Sequence, residues 1–329
     1  MSTLIEFDGV CKYYQMGDTL VKAADHVSFK INKGEFVAIV GQSGSGKSTC
    51  MNIIGCLDVP TEGTYLLDGR DVGKMSRREL ASIRNEKLGF IFQQYNLLPK
   101  LTLLENVEVP LVYAGIPAAQ RHATAKAALE RVGLGNKLKN LPNQLSGGQQ
   151  QRIALARALV ISPDVLLMDE PLSNLDAKLR VEMRSVIRHT QKSVGITTVY
   201  VTHDQEEAMA ISDRIAVMKD GVIQHVGTPR DIYQRPKNVF VATFIGRTNI
   251  VNAHVKDGII TFADGYHEHI DALDKAAEQD VRCSIPPGGV HYLARTAPMA
   301  STAPCRSVPT SVSTPTTPLT PIRATRWRS

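Results

Sequence analysis

A compact run of glycines, serines and one lysine in the first part of the chain has the composition of a phosphate-binding loop. The segment Gly41–Ser48 reads GQSGSGKS and fits the pattern GxxxxGK[ST]. Glycines let backbone N–H groups approach phosphate closely, and a helix that follows presents its positive end to the same anion. We expect Lys47 to reach the β and γ phosphates of a nucleotide and Ser48 to bind Mg²⁺. The predicted nucleotide-contacting residues are Gly41, Gln42, Ser43, Gly44, Ser45, Gly46, Lys47, Ser48 and Thr49.

Two adjacent carboxylates end an apolar run further along the chain. The segment Val165–Glu170 reads VLLMDE, which is typical of a buried strand followed by acidic residues. Asp169 fits the residue that holds Mg²⁺ through its water shell. Glu170 fits a general base that polarises the attacking water. Downstream of a phosphate loop, this pair predicts nucleotide hydrolysis.

A second glycine-rich segment, Leu145–Gln149, reads LSGGQ and precedes a helical pattern. A serine and adjacent glycines before a helix again form an anion-binding helix start. A phosphate loop alone would fit kinases, GTPases and many other ATPases, none of which needs a second phosphate-binding segment. The residues predicted to contact nucleotide here are Ser146, Gly147, Gly148 and Gln149.

With both segments present, the sequence resembles the ABC ATPase family. The resemblance implies an α/β fold of the P-loop NTPase class, with a RecA-like core and a helical subdomain. It also implies ATP and Mg²⁺ as cofactors and a head-to-tail dimer of identical or closely related subunits. In such a dimer, LSGGQ of one subunit closes over the ATP that the phosphate loop of the other subunit holds.

Further family positions can be carried over one by one. Tyr14 matches the aromatic ring that stacks on adenine, although its neighbour Tyr13 is an alternative. Gln93 matches the glutamine that senses Mg²⁺ and water and contacts the membrane partner, and His203 matches the histidine that contacts the γ-phosphate. Asp176, in the segment SNLD, matches the loop that links the two ATP sites. The resemblance thus implies catalytic roles for Glu170, His203 and Gln93, and Mg²⁺ binding by Ser48, Gln93 and Asp169.

The elements that must position these residues follow from apolar periodicity and turn signals. Strands are predicted at Thr3–Phe7, Val27–Ile31, Phe36–Val40, Val165–Met168 and Thr197–Val201. Helices are predicted at Ser48–Ile54, Ala118–Val132, Arg152–Val160 and Lys178–Lys192. The phosphate loop therefore lies between a strand and a helix, as its chemistry requires.

Length and composition suggest one large domain followed by a smaller one in the 329 residues. Residues 1–235 are expected to form the nucleotide-binding domain, and residues 236–284 a small, incomplete β-rich regulatory domain. Within the latter, Val251–Phe262 predicts two strands around Asp257-Gly258. Residues 285–329 are rich in Pro, Thr and Arg without periodicity and are predicted to be disordered.

The charge and cysteine distributions exclude several function classes. Of the net charge of +6, five arginines between Ile285 and Ser329, with no acid or lysine there, account for +5. The main body is therefore not expected to bind nucleic acid. The five cysteines form no CxxC pair, which favours free thiols over a metal or disulfide framework.

The chain lacks the apolar signals of membrane insertion and secretion. No run approaches the roughly 20 apolar residues needed to span a bilayer. The start, MSTLIEFDGV, lacks the charged-then-apolar pattern of a signal peptide. We therefore expect a peripheral protein on the cytoplasmic side of the cell membrane, working with separate integral-membrane permease subunits and, for import, a solute-binding protein.

The two halves resemble different transporter branches. Gly55–Gly69 and Gly89–Gly115 look like the macrolide-exporter and lipoprotein-releasing type. Glu170–Arg180, Tyr200–Gly221 and Val226–Gly246 look like ATPases of sugar, polyamine and iron importers. We expect import, with export as the alternative, and a mosaic gene is a further interpretation of the switch. A soluble ABC ATPase of DNA repair or translation is a less favoured reading, since neither long coiled-coil heptads nor a second cassette is present.

The likeness to importers ends near Ile285. Asn249–Ile285 looks like the beginning of the importers' regulatory β-domain, whereas the segment that follows resembles no family. The abrupt shift to Pro, Thr and Arg suggests the hypothesis that this tail is out of frame or rearranged. Resequencing the gene would test this hypothesis.

Overall fold

The structure is a computed structural model that describes residues 2–246, 248–285 and 291–293. The chain divides into two compact units, Met1–Arg247 and Thr248–Ser329.

A four-stranded antiparallel sheet in the order β2-β1-β4-β5 begins the first unit. Its strands are β1 Thr3–Met16, β2 Thr19–Asn32, β4 Glu62–Leu67 and β5 Arg70–Asp71. The predicted strands at Thr3–Phe7 and Val27–Ile31 are therefore parts of one long hairpin. Its inner face buries Phe7, Phe29 and Tyr65, and the ring of Phe7 packs against the other two rings.

A six-stranded sheet in the order β10-β9-β3-β8-β7-β6 forms the centre of the first unit. Its strands are β3 Phe36–Gly41, β6 Leu88–Ile91, β7 Val165–Asp169, β8 Thr197–Thr202, β9 Arg214–Lys219 and β10 Val222–Gly227. All neighbours are parallel except β9 and β10. Strands β3 and β8 are buried along their whole length, which explains their continuous apolar and β-branched sequences.

Nine helices accompany these sheets within the described part of the first unit. They are α1 Lys47–Ile54, α2 Arg77–Lys87, α3 Leu103–Tyr113, α4 Ala118–Arg131, α5 Gly147–Leu159, α6 Ala177–Val194, α7 Gln205–Ile211, α8 Pro229–Gln234 and α9 Val239–Ile245. Helices α3, α4 and α5 share an apolar core that includes Leu103, Val107, Leu129 and Ile153. This cluster is the predicted helical subdomain, and the α/β class is confirmed.

The second unit is a five-stranded antiparallel sheet in the order β13-β12-β11-β14-β15. Its strands are β11 Asn249–Lys256, β12 Ile259–Phe262, β13 His267–His269, β14 Gln279–Ile285 and β15 His291–Leu293. The predicted hairpin is present, and its two turn residues, Asp257 and Gly258, have positive φ values of 47° and 74°. The core of this unit includes Val255, Ile260 and Cys283.

The boundary between the units lies later than the sequence suggests. It falls after Arg247 rather than after residue 235. The reason is packing, because Val241 and Ile245 of α9 join Ile215 and Val217 of β9 in one apolar cluster. The sequence VFVATFI thus completes the core of the nucleotide-binding unit.

Part of the range predicted to be disordered is ordered. Ile285 belongs to β14, and His291–Leu293 form β15, which pairs with β14 through Arg282–Leu293 and Cys283–Tyr292. Sheet pairing therefore overrides the lack of periodicity in these residues. The rest of the predicted disordered tail lies outside the described residues, as does the hypothesis that it is out of frame.

Four of the five cysteines, Cys11, Cys50, Cys56 and Cys283, are buried free thiols, in line with the sequence-based expectation. Cys305 lies outside the described residues. A search of the described residues finds no helix that combines the length and the apolar character needed to cross a membrane.

Candidate functional site

The predicted site residues follow the carboxyl ends of adjacent parallel strands. The phosphate loop follows β3, His203 follows β8, Glu170 follows β7 and Gln93 follows β6 closely. Because the sheet order is β3-β8-β7-β6 in this region, these segments are neighbours along one sheet edge. Ligand sites in open parallel sheets form at this edge.

The phosphate loop has a backbone that strongly favours glycine at two key positions. Gly44 and Gly46 have φ values of +77° and +98°, in the left-handed region that L side chains rarely enter. A Cβ at Gly46 would collide with the carbonyl oxygen of Ala23, and one at Gly41 with that of Met218. The loop is therefore fixed in shape by both conformation and space.

The first backbone N–H groups of helix α1 are free to bind a ligand. Its N-cap is Gly46, which offers no side-chain hydrogen bond, so the first N–H groups of the helix keep no intrahelical partner. Ser48 and the segment Gln42–Gly44 are exposed, whereas the buried Ser45 hydroxyl has no hydrogen-bond partner. This set of donors fits the oxygens of a nucleotide triphosphate.

Lys47 is held over the loop by backbone carbonyls. Its ammonium donates to the oxygens of Gly41 at 3.0 Å and Gln42 at 2.8 Å. Burial lowers the pKa of Lys47, while the negative charges of Glu170 and Asp169 oppose that shift. The lysine therefore lies within electrostatic reach of the acid pair, where it can bind phosphate.

Asp169, the first residue of the acid pair, is a partly buried carboxylate beside the negative charge of Glu170. Burial is the main cause that raises the pKa of Asp169, the charge of Glu170 raises it further, and Lys47 opposes the rise. A divalent cation would relieve this repulsion, and the carboxylate and hydroxyl oxygens of Asp169 and Ser48 are the ligands that Mg²⁺ prefers. The residues present therefore fit a Mg²⁺ site.

Glu170 is bonded to both other predicted catalytic residues. Its Oε1 lies 3.0 Å from Nδ1 of His203, and its Oε2 accepts from Nε2 of Gln93 at 3.5 Å. The backbone of Glu170 has a φ of +43°, a strained value that costs about 1–3 kcal/mol and that clusters at functional sites. The backbone N–H of Glu170 donates a hydrogen bond to the carbonyl oxygen of Val201 at 2.9 Å. The structure thus brings Gln93, Glu170 and His203 together.

Two residues of the SNLD segment support this cluster from within the same chain. Asn174 donates from Nδ2 to the carbonyl of Gln93 at 2.9 Å, and the Ser173 hydroxyl donates to the carbonyl of Glu170 at 2.9 Å. The sequence interpretation assigned this segment to the link between ATP sites and missed its intrachain contacts. Asp176, the predicted contact residue, here caps α6 by accepting from the N–H of Leu179 at 2.9 Å.

Arg180 connects the SNLD segment to the segment after His203. Its guanidinium donates to the carbonyl of Leu175 at 3.2 Å and to Oδ2 of Asp204 at 3.3 Å. It also lies 3.6 Å from Oε1 of Glu207. No local sequence pattern signals this role, because Asp204 and Glu207 lie more than 20 residues further along the chain.

Glu207 fixes the strand that leads to His203. It is buried and accepts from the hydroxyls of Tyr200 at 2.8 Å and Thr202 at 2.9 Å. Burial raises the pKa of Glu207, and the two hydroxyl bonds counter the rise. Glu207 therefore connects the end of β8 to α7, and these two elements flank His203 along the chain.

The LSGGQ segment is satisfied by its own capping box. The Ser146 hydroxyl accepts from the N–H of Gln149 at 3.4 Å, and Oε1 of Gln149 accepts from the N–H of Ser146 at 3.2 Å. A Cβ at Gly148 would lie 2.9 Å from Leu179 Cδ1, and one at Gly147 would lie 3.0 Å from Leu175. Among the described residues, no hydrogen bond or ion pair joins this segment to the phosphate loop.

Tyr14 and Tyr13 have different surroundings. The Tyr14 hydroxyl donates to Oδ2 of Asp58 at 2.9 Å, and Nζ of Lys12 lies 5.3 Å from its ring centroid. The Tyr13 hydroxyl donates instead to Oδ1 of Asp25 at 2.8 Å. Since 36% of Tyr14 is exposed, its ring is accessible, and adenine stacking on it stays a prediction.

The chain is similar to proteins of ABC transporters, both importers and exporters. The family model described as ABC transporter matches residues 24–173. An Fe(3+) ions import ATP-binding protein of Fusobacterium nucleatum is 46% identical over 288 residues, which cover 87% of this chain and 75% of that protein. A macrolide export ATP-binding/permease protein of Brucella abortus is 47% identical over 230 residues, which cover 70% of this chain and 35% of that protein.

A solved structure of similar fold is a dimeric ATP-binding cassette in a post-hydrolysis state, bound to ADP and phosphate. It is 42% identical to this chain with a TM-score of 0.63, and the match covers 69% of this chain and 99% of the cassette.

Proposed function

The chain belongs to the ABC transporter ATP-binding proteins and is an ATPase, and from this premise we propose that it powers solute import by hydrolysing Mg²⁺-ATP in a dimer. The observation that carries the catalytic part is the bonding of Glu170 to both Gln93 and His203. A carboxylate held between two such groups is oriented to take a proton from a water molecule.

Each residue of the sheet edge has a role in this proposal. The phosphate-loop amides and Lys47 bind the β and γ phosphates and hold the γ-phosphate in line with the attacking water. Glu170 accepts the proton of that water, and His203 donates a hydrogen bond to the γ-phosphate. Ser48, Gln93 and, through water, Asp169 would hold Mg²⁺, which would supply charge neutralisation for the phosphate oxygens.

The proposed dimer follows from the separation of the two glycine-rich segments. The LSGGQ segment makes no bond to the phosphate loop within the described chain, so its contact with ATP would come from a second subunit. The dimeric form of the similar cassette supports this arrangement. We propose that Ser146–Gln149 and Asp176 face the ATP bound by the partner, and that Tyr14 stacks on adenine in its own site.

The direction of transport rests on the second unit. The match to the iron-import protein spans 288 residues, more than the first unit contains, whereas the match to the macrolide exporter spans 230. The five-stranded sheet formed by β11 to β15 therefore favours import, with export as the second candidate because of the resemblance around Gln93. The permease would be a separate membrane protein, with this chain at its cytoplasmic side.

The genes beside this one test the direction. A neighbouring solute-binding protein would support import, and a periplasmic adaptor or a large four-span permease would support export.

The catalytic proposal is tested by Glu170→Gln. This variant keeps ATP binding but loses the general base, so the turnover should fall by roughly 10²–10⁴-fold. Retained ATP should also hold the subunits together, which light scattering detects as a dimer. Lys47→Ala should instead lose ATP binding.

The matched control is Glu182→Gln, at an exposed position of α6, where Glu182 pairs with Arg152 alone among the residues that the structure describes. Its turnover should equal that of the unchanged protein. A normal rate of hydrolysis in Glu170→Gln would show that another group is the base.

A further inference from the structure

A β-bulge in the first sheet places three metal-binding side chains together. The register of β1 and β2 shifts after Val10, so that Asp25 and His26 of β2 both lie opposite Cys11 of β1. Bulges of this kind re-aim side chains and are frequent next to functional sites. His26 has a φ of +50°, a strained value for a residue other than glycine.

The ligand atoms of these three residues have the spacing of a coordination shell. The Cys11 Sγ, the Asp25 Oδ1 and the His26 Nδ1 all lie within 4.8 Å of one another. The Asp25 oxygen is 2.8 Å from the histidine nitrogen and 4.0 Å from the cysteine sulfur. A tetrahedral zinc ion with ordinary bond lengths would need separations of about 3.3–3.5 Å, so small side-chain shifts would complete the geometry.

The chemistry of the three groups selects a zinc-type cation. A thiolate, an imidazole and a carboxylate bind Zn²⁺ well, whereas Mg²⁺ prefers oxygen alone. The backbone N–H of His26 donates to the Cys11 sulfur at 3.2 Å, which holds the sulfur beside the other two ligands. The Tyr13 hydroxyl donates to Asp25 Oδ1 at 2.8 Å and would orient this ligand as an outer partner.

The cluster is open to solvent on the side of His26, whereas Cys11 is buried. Lys22 lies 3.3 Å from Asp25 Oδ2, the oxygen that does not face the cluster. The His26 side chain is 75% exposed, so an ion can enter from solvent and a water molecule can take the fourth position.

We propose that Cys11, Asp25 and His26 form a binding site for one Zn²⁺ ion, with Tyr13 as its outer-shell partner. The site is joined to the phosphate loop through the backbone. The N–H of Asp25 donates to the carbonyl of Gly221 at 2.9 Å, and the N–H of Gly221 donates to that of Ser45 at 3.1 Å. A metal bound here would therefore brace the backbone that supports the nucleotide.

The test is titration of the full chain with Zn²⁺ and with Co²⁺, in excess Mg²⁺ to fill oxygen sites. We expect one ion per chain and, with Co²⁺, the near-ultraviolet charge-transfer absorption of a cobalt–thiolate bond. Cys11→Ser and His26→Asn should each weaken the binding by more than roughly 100-fold, and Tyr13→Phe by about 10-fold, as typical of outer partners. Asparagine tolerates the left-handed backbone of residue 26.

The controls are Cys283→Ala, in the second unit, and His189→Asn, on α6, which should leave the affinity unchanged. Retained ATP hydrolysis shows that a variant is folded. The cobalt spectrum of the unchanged protein needs no variant, and a spectrum without the thiolate band would overturn the proposal. Equal Zn²⁺ affinity of Cys11→Ser and the unchanged protein would overturn it as well.

Discussion

The two glycine-rich helix starts of the first unit look alike in sequence but use glycine for different reasons. In the phosphate loop, Gly44 and Gly46 have positive φ values, and α1 begins without a side-chain cap. In LSGGQ, the glycines have ordinary φ values, and their lack of a side chain makes room for Leu175 and Leu179.

The difference lies in how the helix N–H groups are used. Helix α1 leaves its first donors free for an anion, whereas Ser146 and Gln149 at the start of α5 satisfy each other through a capping box. The first start is therefore built for a ligand within its own chain. In the second, the N–H groups of Ser146 and Gln149 are already bonded within the box, and the Ser146 O–H proton remains free to donate to a phosphate, as the proposed contact across the dimer requires.

The largest effect is expected from Gly46→Ala. Its Cβ would collide with the carbonyl of Ala23, and the backbone would be held in the left-handed region. We expect the free energy of unfolding to fall by roughly 2–5 kcal/mol from strain and overpacking together, and ATP binding to be lost because the loop amides move. Urea unfolding and nucleotide titration measure both effects.

Gly44→Ala is the matched control, because its φ is +77° but nothing lies within 4 Å of an added Cβ. Only the backbone strain of about 1–2 kcal/mol should appear. Equal losses in the two variants would mean that the contact with Ala23 does not shape the loop.

A smaller effect is expected from Gly148→Ala. An added Cβ would lie 2.9 Å from Leu179 Cδ1, which costs about 1–3 kcal/mol as overpacking, while alanine recovers up to about 1 kcal/mol of helix propensity. The net loss of unfolding free energy should therefore be about 1 kcal/mol. A double-mutant cycle with Leu179→Ala should show a coupling of roughly 0.5–3 kcal/mol. Strictly additive effects would refute a packing role for Gly148.

The smallest effect on stability is expected from Ser146→Ala, which removes one capping bond and costs about 0.5–1 kcal/mol. Ser76→Ala removes the same kind of box at α2, where the Ser76 hydroxyl accepts from the N–H of Glu79, and should cost the same. Only Ser146→Ala should also weaken the ATP-dependent dimer of the Glu170→Gln background, measured by sedimentation. Equal dimerisation of the two variants would argue against a contact of Ser146 across the dimer.

Elements buried on both faces were the easiest to predict. Strands β3 and β7 are largely apolar runs and β8 is rich in β-branched residues, because both of their faces pack against other layers. Strand β4, Glu62–Leu67, is only partly buried and therefore carries no such run. It is not predicted from the sequence for this reason. The first unit's end was also misplaced, because the apolar face of α9 belongs to a core whose other members lie in β9.

The sequence by itself determined which chemistry is present and in which order. The phosphate loop, the acid pair, LSGGQ and the family resemblance depend on local residue types, because glycine conformation and helix-start donors are local properties of the backbone. They were sufficient to predict an ATPase of the ABC family.

Only the tertiary structure decided which of these residues meet. Gln93, Glu170 and His203 follow three different strands, and they converge because β6, β7 and β8 are adjacent and parallel. The bridge formed by Arg180 and the cluster of Cys11, Asp25 and His26 likewise depend on sheet register and helix packing. Such contacts join residues far apart in the chain, so their geometry is set by the folded core and not by local sequence.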